Sequence, residues 1–70
     1  MLKAVGANVR RLRLRAKLTQ EGLAERVGIN PRTVQKIEAG RLNILVTTLA
    51  RMQTALGCRW DELMEGGKKR

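Results

Sequence analysis

Two cations near the middle of the chain have the type and spacing to bind a polyanion. Arg32 and Lys36 lie four residues apart, so a helix would place them on one face, turned away from the apolar Val34 and Ile37. A guanidinium can donate two hydrogen bonds to the O6 and N7 atoms of guanine, and an ammonium can donate one to the same atoms. The alternative is that both side chains are ordinary solvated charges. Arg32 and Lys36 therefore favour nucleic-acid binding only if the neighbouring sequence forms a helix that exposes both side chains.

The charge balance of the whole chain favours an anionic partner. Its 70 residues include 15 Lys and Arg against 6 Asp and Glu, which gives a net charge of +9. Residues 1–43 hold ten basic and three acidic side chains, and residues 44–70 hold five and three. The excess therefore lies mainly in the N-terminal part. Such an excess is typical of proteins that bind nucleic acid, an acidic protein or an anionic membrane surface.

Residues suited to catalysis are scarce in this sequence. The chain has no His, the commonest general acid or base near neutral pH. Cys58 is alone, so a disulfide or a cysteine-rich zinc site cannot form within the chain, and a single Cys is more often a small core residue. We therefore expect no enzyme activity, no metal and no cofactor. No apolar run approaches the roughly 20 residues of a membrane span, and no signal-peptide pattern opens the chain, so we expect a cytoplasmic protein with no membrane partner.

Hydrophobic periodicity and capping residues predict an all-α chain with five helices. We expect one domain over residues 1–65 and a basic, disordered tail over residues 66–70. The predicted helices span residues 2–16, 20–27, 31–39, 46–56 and 59–64. Thr19 and Asn30 are suited to begin the second and third helices, because their side chains can accept from free backbone N–H groups. Gly28 is suited to end the second.

The second and third predicted helices meet the requirements of a helix-turn-helix. Ala24 is small where two steeply crossing helices bring their backbones together, and Gly28 adopts the tight turn at little cost. Val34 and Ile37, three residues apart, lie on one face of the third helix and can pack against the second. This spacing predicts the motif that presents its second helix to the major groove of DNA.

Beyond this motif, the chain resembles the Cro/cI-type (XRE) family of phage repressor helix-turn-helix domains over residues 4–64. The likeness rests on "LTQEGLAERVGI" (18–29), on "TVQKIEAGR" (33–41), and on single positions in the other helices: Val5, Gly6, Val9, Leu12, Arg13, Asn43, Leu49, 55–57 and 61–63. It implies a five-helix, lambda-repressor-like domain that binds operator DNA, usually as a symmetric dimer. The chain departs from the family pattern at Gly22, Ile44, Leu45 and Gln53.

The resemblance implies base contacts at the first, second and sixth positions of the third helix, which are Pro31, Arg32 and Lys36. Pro31 carries no side-chain donor or acceptor, so it can offer an apolar contact or serve purely as a helix starter. The resemblance also implies a partly buried salt bridge between Arg13 and Glu38, which would link the first and third helices.

Phosphate contacts are expected from four further residues around the same helix. The resemblance assigns Gln20, at the start of the second helix, to a phosphate. Thr33, Arg41 and Asn43 are the next candidates, from the third helix and the loop that follows it. Arg41 could instead be a solvated charge.

These observations favour a sequence-specific regulator of transcription that binds double-stranded DNA as a homodimer. The alternative is an antitoxin-like module that binds a protein partner, a toxin or another regulator, because residues 42–45 form an apolar loop too crowded for all of its large side chains to be core. In the homodimer, the loop Leu42–Leu45 and the C-terminal helix, with Met64 near its end, are the surfaces expected to meet. Trp60 is the one aromatic residue and is expected in the core, which leaves a general RNA binder without a stacking platform. A membrane-surface peptide would leave the helix-turn-helix without a role.

Overall fold

The computed structural model of the chain describes residues 2–65, and only the backbone of residue 2. Within that range the chain forms five α-helices and no strand: α1 (Leu2–Arg15), α2 (Gln20–Val27), α3 (Pro31–Glu38), α4 (Val46–Leu56) and α5 (Trp60–Met64). The predicted all-α fold class is confirmed. The predicted tail, residues 66–70, lies outside the described residues. None of the helices in residues 2–65 is long and apolar enough to cross a membrane.

The starts of α2 and α3 are fixed by side-chain caps. The Thr19 hydroxyl accepts a hydrogen bond from the backbone N–H of Gly22 at 2.8 Å, and the Asn30 side chain accepts one from the N–H of Arg32 at 2.8 Å. Each bond satisfies a donor that the first turn of a helix leaves free. The two helices therefore begin at the predicted residues.

Four of the helices end with the same backbone hydrogen bond. In each, one residue turns into the left-handed region, and the N–H of the residue after it reaches back five positions: Leu18 to Arg13, Ile29 to Ala24, Arg41 to Lys36 and Cys58 to Gln53. Three of the turning residues are glycines, but the one that ends α1 is Lys17, with φ of 60°. This arrangement is the Schellman motif, which satisfies the free carbonyls at a helix end.

The core is a single cluster to which all five helices contribute. α1 packs against α3 and α5, and α2 packs against α3 and α4. The buried apolar residues are Val5, Val9, Leu12, Leu23, Ala24, Val27, Val34, Ile37, Leu49, Met52, Leu56, Cys58 and Leu63. Ala16, the last residue of the predicted first helix, lies one residue beyond the end of α1 and is exposed.

α1 and α3 pack backbone against backbone at Gly6. A Cβ atom added there would overlap the carbonyl oxygen of Ile37 and would lie 2.9 Å from that of Glu38. Only a residue without a side chain permits this approach. Gly6 therefore sets the distance between α3 and the rest of the domain.

The prediction that Trp60 packs in the core is wrong. Trp60 is the first residue of α5 and remains 42% exposed, while Cys58 and Leu63 take the buried positions on either side of it. α5 is held by polar contacts as well: the buried Asn8 of α1 donates from Nδ2 to the carbonyl of Leu63 at 2.9 Å and to that of Glu65.

Candidate nucleic-acid interface

α3 has two faces with opposite surroundings. Val34 and Ile37 are 0% and 1% exposed and face the core. Arg32, Gln35 and Lys36 are exposed on the opposite side. Because Pro31 begins the helix with a fixed φ and Asn30 caps it, the register that separates these faces is set at its first residue. The helix therefore presents two cations and one amide to solvent.

The one carboxylate on α3 is turned away from that exposed side. Glu38 accepts from Arg13 Nε at 2.7 Å and from Nη2 at 3.1 Å, and the side chains of Arg13 and Glu38 are 9% and 5% exposed. The remaining Arg13 nitrogen, Nη1, donates to the carbonyl of Leu18 at 2.9 Å. The structure thus brings Arg13 and Glu38 together, and the pair removes a negative charge that would repel phosphate.

Gln20 joins this buried network. Its Nε2 donates to Glu38 Oε1 at 3.1 Å, and the residue is half-buried at the start of α2. An amide nitrogen carries two hydrogens, so one N–H and the side-chain carbonyl oxygen of Gln20 have no partner among residues 2–65. The sequence does not indicate this contact, because it joins two side chains that are 18 residues apart in the chain. The contact orients the residue expected to bind a phosphate.

Beside α3 lies a shallow concavity of about 360 Å³. Its lining residues are Arg32, Gln35, Lys36, Ala39 and Arg41. The structure therefore places three of the residues expected to contact bases or phosphates, Arg32, Lys36 and Arg41, on one continuous surface. Gln35 lies on this surface too, although the expected set omits it.

Four of the expected contact residues lie outside the concavity. Pro31 and Thr33 are half-buried at the flanks of α3, and Asn43 is exposed in the loop that precedes α4. Gln20 lies at the α2 end, next to Glu38. These four residues surround the exposed face of α3 but do not line the concavity.

The acidic side chains of α5 are already paired with other cations. Within residues 2–65 the ion pairs are Arg13–Glu38, Arg15–Glu62 and Arg59–Asp61. The Arg59 side chain lowers the pKa of the Asp61 carboxyl by hydrogen bonding, and the Arg59 backbone N–H does the same for the pKa of Glu62. No ion pair in that range involves the cations of the concavity, so their charge is available to an external anion.

Two helices crossing at a glycine turn, the second with an exposed basic face, define a helix-turn-helix domain. The sequence model of the helix-turn-helix family matches residues 9–63, and the chain belongs to this family. The expected family is confirmed.

The similar proteins carry the names of regulators or controllers. The chain is 41% identical over 64 residues to the uncharacterized HTH-type transcriptional regulator y4dJ of Sinorhizobium fredii (strain NBRC 101917 / NGR234). The aligned segment covers 91% of this chain and 83% of the relative. The crystal structure of the restriction-modification controller protein C.AhdI from Aeromonas hydrophila matches with a TM-score of 0.86 and 32% identity, over 90% of this chain and 96% of that one. The clp gene regulator ClgR from Corynebacterium glutamicum matches with a TM-score of 0.86 and 32% identity, over 93% of this chain and 70% of that one.

Proposed function

We propose that this chain is a sequence-specific regulator of transcription that inserts α3 into the major groove of double-stranded DNA and acts as a homodimer. The exposed face of α3 carries the proposal, because it offers guanidinium, ammonium and amide donors. The one carboxylate of α3, Glu38, lies on the buried side and is neutralised by Arg13. The relatives named as regulators of transcription and of genes support the same function.

Each expected contact residue has a role that suits its position. Arg32 and Lys36, on the concavity, donate to base edges, with guanine O6 and N7 as their best acceptors. Pro31 touches at most a thymine methyl group. Two further residues, Arg41 on the concavity and Asn43 in the following loop, donate to phosphate oxygens, which fix the orientation of the domain.

The remaining phosphate contacts come from the flanks of α3. Thr33 lies on one side of the helix, and its hydroxyl can donate to a phosphate oxygen. Gln20 donates with the amide hydrogen that its bond to Glu38 leaves free. Because Glu38 holds the Gln20 amide, the Arg13–Glu38 pair connects the position of this contact to the packing of α1 on α3.

The small size of the recognition surface supports the proposed homodimer. One recognition helix covers only a few base pairs, whereas two copies related by a two-fold axis read half-sites about 34 Å apart. Four large apolar side chains are exposed among the described residues: Leu14 at 53%, Leu45 at 71%, Val46 at 72% and Trp60 at 42%. The last three, from the α3–α4 loop, the start of α4 and α5, support self-association at the predicted surfaces. Leu42 and Ile44 pack partly against the core instead. We therefore place the dimer contact at Leu45, Val46 and α5.

An antitoxin-like module that binds a different protein is the second candidate. The same exposed side chains of Leu45 and Val46 favour it, because a hydrophobic patch on a small domain marks an interaction surface. The mass of the purified chain in solution separates the two candidates. A dimer that binds DNA supports the proposed function, and a monomer that binds DNA only after a protein partner is added supports the second candidate.

Selection of binding sites from random duplexes tests the proposed function. We expect enrichment of one palindromic sequence, whose two halves are centred about one helical turn apart. Arg51→Ala is a matched control, because Arg51 is an exposed arginine of α4 outside the proposed contacts, and it should select the same sequence. A chain that enriches no sequence would contradict the function, and a site without two-fold symmetry would contradict the homodimer.

A further inference from the structure

We infer that Gln35 is a base-reading residue of α3, that it recognises adenine, and that this adenine lies next to the guanine bound by Arg32. The inference rests on the proposed function and adds to it a residue at the fifth position of the helix. The family resemblance implies the first, second and sixth positions only.

The direction of the Gln35 side chain is the first argument. The buried strip of α3 is centred between Val34 and Ile37. At about 100° per residue, Arg32 lies about 10° from the opposite direction, and Gln35 and Lys36 lie about 50° to either side of it. By the same count Pro31 lies about 90° away, at the edge of the exposed face. Gln35 is therefore as central as Lys36 and more central than Pro31.

The free hydrogen-bonding capacity of Gln35 is the second argument. The chain contains three glutamines. The side-chain amide of Gln20 donates to Glu38, and that of Gln53 donates to the carbonyl of Cys58 at 3.2 Å. The exposed Gln35 forms no such bond with the described residues. Its donor and its acceptor are both available, and a glutamine amide matches adenine N6 and N7 with two hydrogen bonds.

The surroundings of Gln35 allow a base to reach it. It lines the concavity between Arg32 and Ala39, and the small Ala39 one turn later leaves room beside it. Three residues of helix advance about 4.5 Å along the axis, close to the roughly 3.4 Å between successive bases of a DNA strand. Arg32 and Gln35 are therefore spaced to contact neighbouring base pairs.

Site selection with the wild-type chain, Gln35→Ala and Gln35→Arg tests this inference. The wild type should prefer adenine over the other bases at one symmetric pair of positions, by about 5- to 150-fold. Gln35→Ala should lose that preference and keep the neighbouring guanine. Gln35→Arg should change the preferred base from adenine to guanine at the same positions, because an arginine matches guanine O6 and N7. A change of preferred base cannot arise from a loss of folding.

Gln53→Ala provides the matched control. It makes the same chemical change away from α3 and should select the wild-type sequence. If Gln35→Ala and Gln35→Arg also select the wild-type sequence with unchanged preference, the inference about Gln35 is wrong, while the proposed function stands. If the wild type selects no sequence at all, the proposed function is wrong, and the inference about Gln35 is wrong with it.

Discussion

The two faces of α3 differ in where their side chains find partners. On the inner face, Val34 and Ile37 are buried, and Glu38 receives hydrogen bonds from Arg13 and Gln20. On the outer face, Arg32 and Gln35 line an open concavity and have no side-chain hydrogen bond within residues 2–65. One helix of eight residues therefore contributes to stability on one side and offers unused hydrogen-bonding groups on the other. Substitutions on the two faces should accordingly change different quantities.

The largest effect should come from Glu38→Ala on the inner face. It leaves the Arg13 guanidinium buried without its counter-charge, and removing one partner of a buried pair costs about 3–5 kcal/mol of unfolding free energy. Chemical denaturation followed by circular dichroism measures the loss. Asp61→Ala is the control, because the Arg59–Asp61 pair is solvent-exposed and its loss should change the unfolding free energy far less than the loss of the buried pair. Equal losses for the two variants would contradict a structural role for the inner pair.

Gly6→Ala should give the next largest loss of stability. The added methyl group meets the backbone carbonyls of Ile37 and Glu38, which cannot move without shifting α3, and overpacking of this kind costs about 1–3 kcal/mol. Gly22→Ala is the matched control within α2. There the new atom would lie 3.2 Å from the Thr19 hydroxyl oxygen and 3.6 Å from a Leu18 methyl carbon. If thermal melting shows that Gly22→Ala is the more destabilised variant, α1 does not set the position of α3 as described.

Arg32→Ala should affect binding and leave stability nearly unchanged. Loss of the contact to a guanine should cost about 1–3 kcal/mol of binding free energy and relax the preference at one symmetric pair of positions. The side chain is exposed and outside the ion pairs of residues 2–65, so the unfolding free energy should change by less than about 0.5 kcal/mol. Fluorescence anisotropy with the selected duplex and thermal melting of the same variant measure both quantities. Unaltered base preference would remove Arg32 from the base-reading residues.

Arg41→Ala should produce the smallest change in DNA affinity, and it should leave the base preference unchanged. A phosphate contact adds affinity for every sequence, so its loss should weaken selected and unrelated duplexes by the same factor. The slope of log K against log salt concentration should become shallower by about 0.9, the contribution of one phosphate. Titrations at several salt concentrations measure the slope. An unchanged slope would leave Arg41 as a solvated charge.

Most of the fold could be predicted because its signals are local. The start of α2 follows from the Thr19 cap, the C-terminal ends of α2 and α4 follow from the glycine turns at Gly28 and Gly57, and both helices have their predicted bounds. α1 and α3 each end one residue earlier than predicted, and α5 begins one residue later, because the terminal residue in each case lies outside the helix proper. The separation of the two faces of α3 also follows from local spacing.

The errors and omissions concern contacts between distant parts of the chain. Asn8 lies among arginines in a basic helix, and nothing near it in the sequence indicates that its amide is buried against the C-terminal end of α5. Trp60 is a large, mainly apolar residue of the kind usually found in a core, but Cys58 and Leu63 occupy the buried positions instead. The bond between Gln20 and Glu38 depends on how α2 crosses α3. Such contacts are decided by tertiary packing.

NMR of the side-chain N–H groups during titration with the selected duplex tests the division between the two faces most directly. The chain provides matched pairs. Arg32 on the outer face is matched with Arg13 of α1, which is bonded to Glu38 on the inner side, and Gln35 is matched with Gln53 of α4, whose amide is bonded to the carbonyl of Cys58. We expect the Arg32 Nε–H and Gln35 Nε2 signals to shift on binding, while those of Arg13 and Gln53 stay in place. Stationary Arg32 and Gln35 signals in a saturated complex would contradict recognition by the outer face of α3.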